Sequence, residues 1–198
     1  SNAGAAATTV SNNTAIGAYA FDVGTGADNT AVGAGALGGS SNSAADNTAL
    51  GKDAGNAIST GADNVVIGSA AGYAITTGAR NLVVGKAAGQ NLTTGDDNVA
   101  VGRAALYTVT TVSDLVAVGK NALYANTTGT SNTAVGYESQ AATTTGADNT
   151  SVGYDSLVAN TTGTDNTAIG ADALKANSTG NYNTAVGYRA ADSVTSGT

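Results

Sequence analysis

The side chains with the clearest chemical potential are carboxylates that recur at a fixed spacing. Asp stands at seven equivalent positions, Asp28, Asp46, Asp63, Asp97, Asp114, Asp148 and Asp165. Carboxylate oxygens are good Ca²⁺ ligands. However, the glycine-dense Gly-Gly-x-Gly-x-Asp pattern of calcium-binding β-rolls is absent. A structural role in turns is therefore favoured, and we expect neither a metal nor another cofactor.

Catalysis finds little support in the sequence. The chain has no Cys and no His, which excludes thiol and imidazole chemistry and zinc sites of the usual ligand types. An enzyme needs an acid, base or nucleophile converging on one pocket, whereas these Asp residues are spread evenly along the chain. We expect no enzymatic activity and no catalytic residues.

Two further sets of residues could bind a partner. Tyr137, Tyr154 and Tyr188 occupy equivalent positions, and an exposed set of aromatic rings would suit a glycan or protein ligand; alternatively, they pack against neighbouring turns or chains. Basic residues take the same position earlier in the chain, at Lys52, Lys86, Arg103 and Lys120. These could meet an anionic surface, although balancing the nearby Asp residues is the favoured role.

All of these residues are positioned by one repeating unit. Its marker is a glycine, which we call the corner glycine, found at Gly17, Gly33, Gly51, Gly68, Gly85, Gly102, Gly119, Gly136, Gly153, Gly170 and Gly187. After intervals of 16 and 18 residues, the spacing is 17 residues throughout. A fixed period along the whole chain indicates a repeat architecture built from stacked coils.

The residues before the corner glycine alternate in character, which is typical of a β-strand. Directly before it lies the aliphatic column: Ile16, Val32, Leu50, Ile67, Val84, Val101, Val118, Val135, Val152, Ile169 and Val186. Two before it lies the small column: Ala15, Ala31, Ala49, Val66, Val83, Ala100, Ala117, Ala134, Ser151, Ala168 and Ala185. We expect the aliphatic column to form the core. The small column, which is uncharged although predicted to face outward, is then the candidate oligomer interface.

The rest of each repeat carries turn signals. Asn stands four residues before the corner glycine in ten of eleven repeats, and Thr-Gly pairs lie shortly before this Asn. Asn favours turns, and stacked Asn side chains would form a ladder. Ala or Ser always stands three residues after the corner glycine, which predicts a second buried wall. A strand, a glycine corner, a short second strand and a turn then close one coil, and eleven coils make an all-β parallel β-solenoid roughly 50 Å long.

This solenoid is expected to be a single domain over residues 12–198. Residues 1–11 are interpreted as a tag-cleavage scar, Ser1-Asn2-Ala3, followed by an N-terminal lead-in. We expect an irregular coil at Val109 to Leu115, where both the turn glycine and the Asn are missing; raised mobility or a bulge is predicted there.

The net charge of −7, with only seven Lys and Arg residues, argues against nucleic acid as a partner. No apolar run approaches the roughly 20 residues of a membrane span, so membrane insertion by this segment is not expected.

The unit Asn-Thr-Ala-Val-Gly-x-x-Ala/Ser resembles the head repeat of trimeric autotransporter adhesins of the YadA type, Asn-Ser-Val-Ala-Ile-Gly-x-x-Ser, from residue 12 to about 190. Runs such as residues 160–170 are also similar to phage tail fibres and related surface proteins. The resemblance implies a left-handed β-roll, a homotrimer and a role in attachment. The 17-residue coil is longer than the family norm, and no neck or coiled-coil stalk is present.

Together these observations predict a non-enzymatic head or shaft segment, extracellular on a bacterial cell surface or virion, that presents a receptor-binding surface to a host glycan or matrix protein. Two alternatives remain open: an inert structural spacer of a tail fibre, and an ice-binding β-solenoid displaying Thr arrays. Against ice binding, Val65, Leu82, Val99 and Val116 interrupt the strand Thr residues, and the Thr-Thr pairs lie in turns.

Overall fold

A computed structural model describes residues 11–39 and 42–197. The chain forms eleven three-residue strands, one per coil. They are β1 (Thr14–Ile16), β2 (Thr30–Val32), β3 (Thr48–Leu50), β4 (Val65–Ile67), β5 (Leu82–Val84), β6 (Val99–Val101), β7 (Val116–Val118), β8 (Thr133–Val135), β9 (Thr150–Val152), β10 (Thr167–Ile169) and β11 (Thr184–Val186).

The strands form one parallel sheet in sequence order, so each coil pairs with the coils before and after it. Equivalent positions face one another, as Ala117 faces Ala134. The predicted all-β parallel β-solenoid with coils of about 17 residues is therefore confirmed. The proposed lead-in lies largely in residues 1–10, outside the described residues.

The predicted second strand is not formed. Turns follow the corner glycine instead, because residues two and four positions after it adopt positive φ, as at Ala70 (φ 54°) and Leu123 (φ 48°). Left-handed backbone at these positions breaks an extended strand. Hydrogen bonds between coils nevertheless continue around the turns, as in the bond from the Leu123 N–H to the Ser139 carbonyl at 3.1 Å.

The corner glycine is required by both conformation and space. Gly68 has φ +129°, and a Cβ at this position would lie 2.7 Å from the carbonyl carbon and oxygen of Gly85 in the next coil. A side chain here would therefore push two coils apart as well as straining the backbone.

The two faces of the strand are the reverse of those predicted. The small column lies inside the coil: Ala117 and Ala134 are fully buried within one chain. The aliphatic column lies on the opposite, outer face, where it is half-buried in the central coils and more exposed in several others, as at Leu50 with 47% exposure. The assignment of the aliphatic column as core is therefore wrong.

The small column is likewise corrected as the candidate oligomer interface. Ala31, Ala49, Val66, Val83, Ala100, Ala117, Ala134, Ser151, Ala168 and Ala185 are buried, and Ala15 is half-buried and packs against the core. The reason is the limited space inside the coil: one large buried side chain, such as Leu123, already fills it and leaves room for mostly Ala on the strand. The outer face has no such limit, and it takes the bulkier Val and Ile.

The second predicted wall is confirmed, since the Ala or Ser residues three positions after the corner glycine are buried from Ala20 to Ala173. Between the two walls, nearly every described coil buries one large side chain: Phe21, Leu37, Ile58, Ile75, Leu92, Leu106, Leu123, Gln140, Leu157 and Leu174. It stands either four or seven residues after the corner glycine. In the coil of Ile58, the other position is Gly55, where a Cβ would lie 2.9 Å from Ile58 Cδ1.

The Asn ladder is also confirmed. In the central coils, the Oδ1 of Asn64 accepts from the N–H and the Nδ2 of Asn81, both at 3.0 Å. The Nδ2 of Asn81 also donates to the Gly95 carbonyl at 2.9 Å, which ties the ladder to the turn. The left-handed residue is the one before each Asn, as at Asp63 (φ 60°). Asp tolerates this backbone, which explains the recurrence of Asp.

The predicted bulge at Val109 to Leu115 is absent. Strand β7 pairs in register with both neighbours, and Val109, Val112 and Leu115 are buried as part of the core. The Leu115 N–H still bonds Asn98 Oδ1 at 3.0 Å. Apolar packing thus replaces the amide at this coil.

Candidate functional site

The surface residues most able to bind a partner occupy the position directly after the corner glycine, which we call the ridge column. It includes Lys52, Ser69, Lys86, Arg103, Lys120, Tyr137, Tyr154, Ala171 and Tyr188. The coil repeats in register, and parallel strands lie about 4.8 Å apart. Successive ridge residues are therefore held at nearly the same separation along the rod.

The structure brings two of the three predicted tyrosines together. The rings of Tyr137 and Tyr154 stack with centroids 5.1 Å apart and planes 7° from parallel. Tyr188 lies beyond Ala171 and is 75% exposed. Because stacking covers ring faces, the Tyr137–Tyr154 pair presents mainly ring edges and hydroxyls. Whether the three tyrosines bind a ligand stays a prediction.

The stacked pair is joined to a cation. Lys120 Nζ lies 4.9 Å from the centroid of the Tyr137 ring and 3.5 Å from its hydroxyl oxygen. Such a contact contributes about 0.5–1 kcal/mol at an exposed site. The basic and aromatic parts of the ridge column thus form one surface.

The basic residues of the ridge column differ in their surroundings. Lys52 forms an ion pair with Asp53 at 3.7 Å. Across the described ranges, Lys86, Arg103 and Lys120 have no carboxylate oxygen within 4.0 Å of their cationic nitrogens. We expected these three cations to balance the negative charge of the recurring Asp residues. No contact with a carboxylate supports that role in the described residues.

A second aromatic set was missed by the sequence reasoning. Tyr107 and Tyr124 stack with centroids 5.1 Å apart and planes 6° from parallel. They stand five residues after the corner glycine, as does Tyr73, and the 17-residue interval between Tyr107 and Tyr124 was the available signal. The solenoid therefore carries two separate tyrosine stacks.

The recurring Asp residues do not assemble a metal site. Throughout residues 11–39 and 42–197, no group of three or more acidic side chains is placed to hold a metal ion. Arg80 binds Asp97 through Nε at 2.7 Å and reaches Asp96 at 3.5 Å. The Arg80 hydrogen bond holds the pKa of Asp97 below its ordinary value of 3.8.

A cleft of about 500 Å³ lies beside Tyr188, lined by charged side chains of the last two coils. These charges are paired: Lys175 Nζ lies 2.6 Å from Asp172, and Arg189 Nε lies 2.7 Å from Asp192. Hydrogen bonds from Ser193 and then Arg189 lower the pKa of Asp192. The cleft can hold a polar ligand but offers no unpaired acid for proton transfer.

The exposed face of the sheet is an uncharged surface rich in aliphatic side chains. It combines the aliphatic column with the residues two positions earlier, which are Thr, Val or Leu in every strand. No charged residue occupies either column in eleven coils. Sequence reasoning identified the pattern but assigned it to the interior.

No helix of the length and apolar character needed to cross a bilayer occurs in the part of the chain that the structure describes. Comparison with protein-family models, with curated proteins and with solved structures gives no significant match.

Proposed function

We propose that this chain is a non-enzymatic attachment module, displayed outside the cell on a bacterial surface or on a virion. The observation that carries the proposal is the division of the coil into a fixed interior and a variable surface. Interior positions hold Ala, Ser or Asn in nearly every coil, whereas the ridge column changes among Ala, Ser, Lys, Arg and Tyr. Such a scaffold presents different side chains at regular spacing, as the resemblance to YadA-type adhesin heads also implies.

The assembly we propose is a homotrimer that buries the exposed face of the sheet. Parallel sheets are normally covered on both faces, and here one face carries an unbroken aliphatic column. Leu50 at 47% and Val152 at 39% exposure illustrate what a lone chain leaves in water. Identical flat faces can meet around a symmetry axis, and three copies follow from the resemblance.

Neighbouring residues on opposite faces test this assembly. Val118→Glu places a carboxylate on the outer face, and we expect it to separate the subunits while the coil remains folded. Ala117→Glu places the same group inside a fully buried position, so it should unfold the chain. Light scattering and circular dichroism measure the two effects. A monomeric unmodified chain, or a Val118→Glu variant that stays trimeric, would contradict the proposed interface.

Attachment itself is tested by binding of the assembled protein to host cells, matrix proteins and immobilised glycans. We expect Tyr137→Ala/Tyr154→Ala to weaken binding, because it removes the stacked pair of the ridge column. Tyr107→Ala/Tyr124→Ala removes an equivalent stack elsewhere and is the matched control. If neither the unmodified protein nor any variant binds, the alternative of an inert spacer is favoured.

Ice binding has one specific observation in its favour. One position in the turn carries an exposed hydroxyl in all eleven coils, and it precedes a glycine in nine of them: Thr25, Ser43, Thr60, Thr77, Thr94, Thr111, Thr128, Thr145, Thr162, Thr179 and Ser196. However, the chain bends at nine of these residues, all except Thr25 and Ser43, so this position lies on a bend of the coil rather than on a flat strand face. Thermal hysteresis that is lost on changing Thr94 and Thr111 to Lys would favour this second function.

A further inference from the structure

Three cations lie in a row on consecutive coils without a carboxylate partner. Lys86, Arg103 and Lys120 are exposed and make no ion pair with any described residue. At about 4.8 Å per coil, they line a stretch of about 10 Å. Like charges at this spacing repel one another, and the chain has only seven basic residues in all. This local concentration of positive charge is suited to an anionic ligand.

The positions beside these cations favour the same conclusion. The residue after each of them is Ala87, Ala104 or Asn121, so no adjacent carboxylate competes for the cations. Lys52 is different, because Asp53 follows it and pairs with it at 3.7 Å. The unpaired segment therefore begins at Lys86.

The surface changes character in the next two coils. Tyr137 and Tyr154 continue the ridge column. Glu138 follows the first and accepts at one oxygen from Asn121 Nδ2 at 3.1 Å. Asp155 follows the second and pairs with Lys175 at 3.3 Å. Carboxylates accept hydrogen bonds from hydroxyl groups, while tyrosine adds edges and hydroxyls. A ligand that extends along this surface would meet cations first and then groups that recognise uncharged hydroxyls.

From this arrangement we propose that the ridge column from Lys86 to Tyr154, together with Glu138, binds an acidic polysaccharide. The inference rests on the proposed attachment function and names its ligand class. Carboxylate or sulfate groups of the sugar chain lie along Lys86, Arg103 and Lys120. Hydroxyls of the following sugars bond Glu138 and the tyrosine hydroxyls.

Nucleic acid fits the same surface less well. Each strand of B-form DNA carries one phosphate about every 3.4 Å, and beyond Lys120 these charges would meet Glu138. The stacked faces of Tyr137 and Tyr154 also cover one another, so they cannot take bases between them. A polysaccharide with sparser charge and many hydroxyls avoids these conflicts.

The test measures binding of the assembled protein to alginate and chondroitin sulfate oligosaccharides by calorimetry, with cellohexaose as neutral control and oligothymidylate as the nucleic acid. The variant Lys86→Ser/Arg103→Ser/Lys120→Ser uses the residue that Ser69 already provides in this column. Lys52→Ser, which removes the paired cation, is the matched control. Circular dichroism verifies that each variant is folded.

We expect the acidic oligosaccharides to bind and added salt to weaken this binding. The triple variant should lose about tenfold in affinity, which is the loss that three exposed ion pairs allow. Lys52→Ser should remain within about twofold. Unchanged affinity in the triple variant, no binding of either acidic sugar, or tighter binding of oligothymidylate would each overturn the proposal. If the triple variant still attaches to host surfaces, only this ligand assignment fails; if the unmodified protein attaches to nothing, the attachment function fails with it.

Discussion

The corner glycine gives the sharpest test of how the coils are stacked. A Cβ added at Gly17 would lie 2.7 Å from the carbonyl carbon of Gly33, and the same distance separates a Cβ at Gly68 from that of Gly85. At Gly187, with φ +125°, nothing lies within 4 Å of the added atom. Gly17 and Gly187 are both in end coils and have nearly the same φ, so their Ala variants differ mainly in contact with a following coil.

The expected energies follow from this difference. Both Gly17→Ala and Gly187→Ala carry backbone strain of about 1–3 kcal/mol. Gly17→Ala adds overpacking of about 1–3 kcal/mol, and Gly68→Ala adds the same in the middle of the rod. For a chain of this length, the extra term lowers Tm by roughly 2–4 °C per kcal/mol. Urea unfolding measures the loss in the free energy of unfolding, and thermal unfolding measures the fall in Tm; circular dichroism follows both transitions.

Hydrogen exchange then shows where each variant loosens. Gly17→Ala should lower protection in β1 and β2, and Gly187→Ala should leave β10 nearly unchanged. If Gly187→Ala destabilises the protein as much as Gly17→Ala, then φ alone requires the glycine and the argument from coil spacing is refuted.

Four further predictions concern the interior and the charged turns. Gln140→Leu/Ser151→Ala should raise the free energy of unfolding by about 1–2 kcal/mol in urea, because it removes Gln140 Oε1, which is buried without a partner, together with the Ser151 hydroxyl that Gln140 Nε2 bonds. Replacing both members of this bond leaves neither of them buried and unpaired. Ile58→Asn should lower the free energy of unfolding by about 2–5 kcal/mol, and Gly55→Leu should lower it by about 1–3 kcal/mol. The double variant should lose less than the sum of these two values, because it recreates the interior of the coil that contains Leu174 and Asn177. Additive losses would contradict the idea that the large side chain can occupy either position. Asp97 has a lowered pKa, so its contribution to stability is fully present above the pKa of the unfolded state and is lost as pH falls through the pKa of the folded state. Carboxyl NMR should show that the pKa of Asp97 rises in Arg80→Gln. An unchanged titration would show that the ion pair does not lower the pKa. A chelator should leave Tm unchanged, and a fall of several degrees would indicate a bound metal.

Much of the fold could be predicted because the period constrains every coil at once. An insertion in one coil would break the register of its neighbours, so the spacing of Gly119, Gly136 and Gly153 implies stacking before any strand is assigned. The Asn ladder follows from the same constraint. Its chemistry is visible in sequence, since an amide can both donate and accept along a stack.

The orientation of the strand could not be predicted from alternation alone. Alternation shows that Ala134 and Val135 lie on opposite faces, and the larger residue is normally assigned to the core. The interior of the coil does not follow this rule, because one large side chain from the turn, such as Leu123, already fills it and leaves room for little beyond Ala on the strand. The positive φ of Leu123 was equally hidden, because a leucine gives no local sign of left-handed backbone.

The candidate site was predictable in composition but not in geometry. Equivalent spacing placed Tyr137, Tyr154 and Tyr188 in one column. The stack of the first two depends on side-chain torsions, and the separation of the third depends on one intervening Ala171. Whether Lys86, Arg103 and Lys120 form ion pairs depends on where each Asp side chain points. The spacing of residues in the sequence does not specify this direction.

The interior and the surface change character in the same part of the rod. One buried apolar cluster ends at Ala134 and the next begins at Leu157. Between them, Gln140 Nε2 bonds Ser151 Oγ at 2.9 Å inside the coil. The sheet runs through this polar coil in register, so backbone pairing, rather than apolar packing, connects the two halves. The stacked Tyr137 and Tyr154 and the contact of Lys120 with Tyr137 cross the same junction on the outside. A ligand lying along this surface would bridge the two core segments, and its binding should therefore increase hydrogen-exchange protection most strongly between β7 and β9.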